Sequence, residues 1–230
     1  MARSQLASPG RQDNHRLTDL AVLPSDRVLD AAAALFWRKG YAASSTRELA
    51  MALGMEKASL YYHFRQKEDL LYAICITTLE RGIRVVTEAV AAASSPAEKI
   101  RVLIRAHLNA ILDEPDRYAT TLTEIRSLST KRRKRVLELR DAYESVIRSI
   151  LRDGQTAGVI RADIPSKYLT LSLLDLLNYS MFWFRQGKNL SSERLAELFT
   201  TIFLDGAAIS GVERAAQDLD IKGPFASDSI

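Results

Sequence analysis

An all-α fold is predicted for this 230-residue chain by three observations. Leu, Ala, Arg and Glu recur at helical spacing over long stretches. Gly and Pro are sparse, at 10 and 6 residues, so few positions interrupt a helix. β-Branched residues are not gathered into the alternating runs that a half-buried strand needs. A hydrophobic fraction of 47% is ample for a core. The length suits one large domain or two small ones.

Residues 1–24 mix Ser, Gln, Arg and Asp with a few leucines and are expected to form a flexible arm ending at Pro24. Arg3, Arg11 and Arg16 suit phosphate or minor-groove contact, with a solvated tail as the competing reading. Ser25 is the expected cap of the first helix, with Asp26 in its first turn. Val28, Leu29, Ala32, Leu35 and Phe36 make its inner stripe, and Gly40 closes it. The second helix is expected at 46–53 and the third at 57–64. A long fourth helix runs from Lys67 to about Ala93, where Ser94-Ser95-Pro96 stops it and Pro96 opens a fifth, to about 112. Glu114-Pro115 separates that from a sixth, about 116–128. A seventh is expected at about 131–153, an eighth from Ser166 to Gln186, and a ninth from Ser191 or Ser192 to about Ala208. Residues 211–230 turn polar and are expected to form a flexible tail.

The segment from Ser44 to Leu71, SSTRELAMALGMEKASLYYHFRQKEDLL, is the most informative. Leu49, Ala50 and Leu53 give one short helix an apolar face, and Gly54 follows where a left-handed residue ends a helix cheaply. Leu60 and Phe64, four apart, point inward together. That leaves Lys57, Ser59, Tyr61, Tyr62 and His63 for solvent. A short helix offering that many donors after a tight turn is suited to the DNA major groove.

These residues resemble the DNA-binding domain of TetR-family bacterial repressors. The match runs from about Ser25 to Tyr72, through SDRVLDAAAALFWRKGY, STRELAMALG, KASLYYHF and QKEDLL. The resemblance implies a nine-helix fold: a helix-turn-helix domain over 25–72 and a ligand-binding and dimerisation domain over 73–210. It implies phosphate contacts from Thr46, Tyr61, Tyr62, His63 and Lys67, and base-edge positions at Arg47, Lys57 and Ala58. Ser59, at the start of the third helix, helps bind phosphate there, because helix N-termini offer unpaired N–H groups. For Tyr61, His63 and Lys57, packing within the domain or idle exposure is the competing role. Glu48 and Glu56 are excluded because they repel phosphate.

Net charge is only +4, and Lys and Arg outnumber Asp and Glu by just 10 to 8 as far as Leu70. DNA contact must therefore come from local placement, not from a bulk positive field. The single cysteine, Cys75, excludes an internal disulfide and fits a reducing cytoplasm. Flanked by Ile74 and Ile76, it reads as a small buried hydrophobe. No secretory signal is legible, and the most apolar run, Tyr168 to Phe184, carries Asp175 and Asn178, so no membrane span is expected. Three histidines, no Gly-rich phosphate loop, no nucleophile elbow and no cysteine cluster argue against an enzyme, a metal site or a cofactor.

In the second half, the eighth helix is apolar nearly all round and needs covering on both sides. Leu195, Leu198, Phe199, Ile202 and Phe203 stripe the ninth. The resemblance implies that these last helices pair with a second copy, giving a homodimer on a near-palindromic double-stranded operator. It also implies a cavity for a small-molecule effector. Its candidate lining is Asn109, Tyr118, Glu124, Arg126, Asn178, Tyr179, Phe182 and Trp183, each with packing or exposure as the rival role. His107 is read as a satisfied interior or edge histidine. The basic run Lys131–Arg135 fans around a full helical turn and reads as salt-bridged or, alternatively, anion-binding. The segment from Asn178 to Ala207 resembles the end of TetR-type regulators of fatty-acid, steroid and aromatic-acid catabolism, several of which respond to acyl-CoA thioesters. A neutral hydrophobic effector is the alternative.

Overall fold

The computed structural model describes residues 25–56, 64–185 and 190–205, which carry nine α-helical segments, one 3-10 turn and no strand. Two helices open it: α1 (Asp26–Lys39) and α2 (Thr46–Leu53). The long connecting helix α3 (Lys67–Ala91) leads into α4 (Pro96–Asp113), α5 (Pro115–Thr123), α6 (Thr130–Thr156) and α7 (Ser166–Asn178). A short α8 (Ser180–Trp183) and then α9 (Ser192–Asp205) follow. Six of the expected nine helices lie within a few residues of their expected places. The expected third helix, over 57–64, falls outside the described residues except at Phe64, which is buried as anticipated.

Local chemistry explains the boundaries. Ser45 caps α2: its hydroxyl accepts from the Glu48 N–H, while Glu48 accepts from the Ser45 N–H. Gly54 ends α2 at φ 63°, the left-handed conformation that glycine adopts without strain. Pro96 and Pro115 stand in the first turns of α4 and α5, where a missing N–H costs nothing. Ser25 sits at the N-cap of α1 in extended conformation, but its side chain makes no cap hydrogen bond.

Two expected helices are shorter. The sixth stops at Thr123, and Ile125–Ser127 winds as a 3-10 turn. Glu124 closes the last turn through its N–H to the Thr120 carbonyl, while its side chain accepts from the Tyr41 N–H. The eighth breaks after Asn178, where the Ser180 hydroxyl donates to the Leu177 carbonyl. Such local side-chain bonds compete with the helix ladder.

Connecting helix α3 is the axle. It packs on α4, α5 and α6, while α9 packs on α4 and α7 on α6. Its stretch Leu70–Ile76 is buried on every side, Cys75 included. Burial drives the Cys75 thiol pKa up to about 12, as the small-hydrophobe reading expects. A continuous core joins α1–α2 to the rest through Leu29, Phe36, Leu49, Leu71 and Ile74. No helix among the described residues is long and apolar enough to cross a membrane.

Candidate DNA-binding and effector sites

At the DNA-binding end, the structure places three of the nine expected contacts. Arg47 is exposed in the first turn of α2, and Thr46 is half-buried at its start. Lys67 is half-buried and turned inward. Its ammonium donates to the Tyr41 carbonyl at 2.6 Å and the Ser44 carbonyl at 2.8 Å, and lies 4.2 Å from the Tyr41 ring centroid. Burial lowers its pKa, with partial compensation from Glu124. A phosphate contact by this ammonium requires it to leave two carbonyls. Its backbone N–H, in the first turn of α3, is the group positioned for an anion. That helix start is also occupied from inside: Asp69 accepts from the Gln66 N–H at 3.0 Å. Lys57, Ala58, Ser59, Tyr61, Tyr62 and His63 lie outside the described residues. The acidic Glu48 is explained by its cap and its ion pair with Lys39, which together hold its carboxyl down at about 2.

Two cations of the basic run are ion-paired. Arg132 reaches Asp69 at 2.5 Å and Glu68 at 3.6 Å and covers the Tyr72 ring; Arg135 pairs with Glu138. One of its cations thus fastens α6 to the start of α3.

A cavity of about 260 Å³ lies among α3, α4, α5, α6 and α7. Leu79, Leu122, Ile125, Val136, Leu171 and Leu174 give it apolar walls. At one side His107, fully buried on α4, bridges two helices. Its Nε2 donates to Asn178 Oδ1 at 3.1 Å, so Nδ1 accepts from the Tyr143 hydroxyl. Burial pushes the His107 pKa down to about 4 against the supporting bond from Asn178, leaving a neutral ring. Arg140 and Asp175 are exposed at the rim, with Glu144 held by Arg148 beside them.

Of the eight expected lining residues, Tyr118 and Asn178 line this cavity. Asn109 lines a separate groove beside Arg81 and Arg105. Glu124 is corrected: it binds the Tyr41 N–H and Ser127, away from the cavity. Arg126 is exposed in the 3-10 turn. Tyr179, Phe182 and Trp183 are on the outer surface, because the break after Asn178 turns them out. Thr78, Thr121, Arg140 and Tyr143, not among the expected residues, also line the cavity, and so does His107, expected as an interior or edge histidine. The available signal was a set of polar residues on otherwise apolar helix faces.

Between cavity and DNA-binding end stands α5. The buried Arg117 donates through Nε to Asp30 at 2.6 Å and through Nη2 to the Asp26 carbonyl and carboxylate at 2.9 and 3.0 Å. Burial alone lowers its pKa, and these partners more than offset that. Thr120 donates to the Ala33 carbonyl, and Glu124 accepts from Tyr41 N. Tyr118, Thr121 and Leu122 of the same helix line the cavity.

On α9, Leu195 and Phe199 are spent inside the protomer, as the i, i+4 stripe facing α4. They are corrected as interface residues. Leu198 and Ile202 lie on the neighbouring stripe, 45% and 39% exposed, and Phe203 is half-buried.

Two family models match: residues 28–74 match "Bacterial regulatory proteins, tetR family", and residues 93–207 match "Tetracyclin repressor-like, C-terminal domain". The chain belongs to the TetR family of bacterial regulatory proteins. It is a helix-turn-helix transcriptional regulator. The transcriptional repressor KstR2 of Rhodococcus jostii is 28% identical over 182 residues, 79% of this chain and 89% of that one. The structure of the TetR-family regulator PfmR from Thermus thermophilus is 35% identical, with a TM-score of 0.73 over 80% of this chain and all of that one. The fold also matches AibR in complex with isovaleryl coenzyme A and operator DNA, at 24% identity and a TM-score of 0.70, over 77% of this chain and 96% of that one.

Proposed function

We propose that this TetR-family chain is a cytoplasmic repressor that binds a near-palindromic operator as a homodimer and leaves it when a small acyl effector enters the α3–α7 cavity. One observation carries the reading: α5 contributes to the cavity wall with one face and holds α1 with the other. A ligand that displaces Tyr118, Thr121 or Leu122 must move or strain the Arg117 and Thr120 anchors to α1. A population shift needs no more than a ligand that binds the two arrangements with different affinity.

The acyl-CoA assignment draws on the likeness to AibR and on the cavity's form. Its apolar walls suit an acyl chain, and Arg140 at the rim suits a phosphate. A cavity of about 260 Å³ is too small for a whole acyl-CoA, so the acyl part is the portion that enters and the nucleotide stays at the rim. The test is fluorescence anisotropy of the full chain on a labelled duplex from its own upstream DNA, titrated with acyl-CoAs and the matching free acids. Release by acyl-CoAs is expected. Release by the free acids alone, or by neither series, contradicts the thioester assignment.

A further inference from the structure

The inner part of the cavity is neither apolar nor charged. Two hydroxyl oxygens there, Thr78 Oγ1 and Tyr118 Oη, are buried without a hydrogen-bond partner, and Thr121 Oγ1 meets only a weak partner, the buried Cys75 thiol. Their residues are 1%, 6% and 7% exposed. The three come from two helices, α3 and α5, and all line the same cavity.

The fold makes room for them. Gly82 on α3 has no side chain, and a Cβ there would stand 3.1 Å from Tyr118 Oη and 3.5 Å from the Tyr143 ring. The phenol therefore lies against the backbone of α3, one turn beyond Thr78. Tyr143 gives its own proton to His107, which leaves its oxygen as an acceptor beside them. Buried hydroxyls left unpaired are costly, and native proteins pair them with protein, water or ligand. Water satisfies them when the cavity holds only solvent. An alkyl chain that displaces such water leaves the hydroxyls bare, whereas an oxygen of the ligand replaces it.

The geometry points to an effector whose acyl part carries a neutral oxygen, a ketone or hydroxyl, seated between Thr78 and Tyr118. The inference rests on this cavity being the effector site. The unpaired groups are hydroxyls, which pair a neutral oxygen without leaving a charge to be balanced. The chemistry therefore selects oxidised or hydroxylated acyl chains over saturated ones of equal length.

The test is isothermal titration of the full chain with octanoyl-CoA, with 5-oxo- and 7-oxo-octanoyl-CoA, and with the three free acids. The same titrations follow with Thr78→Val and Tyr118→Phe, each of which removes one oxygen and keeps the shape. At least one oxo compound is expected to bind on the order of tenfold or more tightly than its saturated counterpart. Either variant is expected to reduce that preference severalfold, by weakening the oxo compound and strengthening octanoyl binding, with an unchanged circular dichroism spectrum confirming the fold. Equal binding of oxo and saturated forms, or a preference that survives both variants, overturns the inference and leaves the effector cavity standing. A preference seen only among free acids removes the thioester and keeps the oxygen. No binding by any of the six compounds overturns both.

Discussion

His107 is neutral in the folded protein because its ring is fully buried, and its two nitrogens are satisfied by Asn178 and Tyr143. Its pKa of about 4 lies below the ordinary 6.5, so the sign of its pH effect is set. Above about pH 6.5 neither state binds the proton. Between 6.5 and 4 the unfolded chain takes a proton that the folded one refuses, so stability falls as pH drops through that window. The shift corresponds to at most about 3 kcal/mol. His107→Gln should flatten this part of the stability curve, measured by urea denaturation at several pH values from neutral to about 4.5. An unchanged slope would show that the ring is protonated or exposed. For DNA, Arg47→Ala should weaken operator binding and lower the salt slope by about one, read from affinity against salt concentration. Lys67→Met should cost about 1 kcal/mol of folding stability, because two carbonyls lose a charged donor that is itself half-exposed. Thermal denaturation checks this, and an unchanged midpoint would argue that the ammonium faces solvent. His107 was legible as an interior histidine from its isolation on an apolar helix. Its place at a cavity was not, since Tyr143 and Asn178 reach it from 36 and 71 residues away.

At the scale of elements, α5 is the decisive one. Its sequence, PDRYATTLT, shows a proline start and little else. Polar residues that look solvated turn out to be buried: Arg117, Thr120 and Thr121. Their partners on α1 are 87 to 91 residues away for the two anchors, which periodicity does not report. Helices α2, α3 and α4 were legible to within two residues, because capping serines, Gly54 and prolines are local signals. The ends of the sixth and eighth helices were not: Glu124 and Ser180, where they stop, make side-chain bonds to Tyr41 N and the Leu177 carbonyl, and neither position carries a Gly or Pro signal. If α5 transmits the effector signal, Arg117→Met should leave effector binding nearly intact and reduce the effector's influence on operator affinity severalfold. The aliphatic stem still fills the space, while the anchors to Asp26 and Asp30 are gone. Titrating effector into variant and parent, with and without operator, decides it. Full release by the variant would place the signal elsewhere, with α3 the alternative carrier.

For the whole molecule, the outer faces of α7, α8 and α9 leave Tyr168, Leu171, Tyr179, Phe182, Trp183, Leu198 and Ile202 substantially exposed. A collection of large apolar side chains on one end of a chain calls for a covering partner. A second copy fits, and its twofold symmetry matches a palindromic operator. Leu198→Glu and Ile202→Glu should give monomers by sedimentation and abolish operator binding, because a charge would be buried in the seam. Leu195→Ala and Phe199→Ala act differently. They cut the protomer core and should lower stability by about 2–5 kcal/mol. Dimers retained by both glutamate variants would move the interface off α9. The sequence stripe held both sets together, since a helix wheel does not say which side its own protomer covers.

In the proposed mechanism the α3–α7 cavity and the operator surface are coupled through α5. Coupling between two binding events is reciprocal, so each ligand must weaken the other by the same factor. The direct measurement is calorimetric titration of an active acyl-CoA into the free dimer and into the dimer saturated with operator. Weaker binding to the operator complex is expected, by the factor with which that acyl-CoA weakens operator affinity, about 5- to 150-fold for ordinary coupling energies. Equal affinity for the free and the operator-bound protein would contradict it.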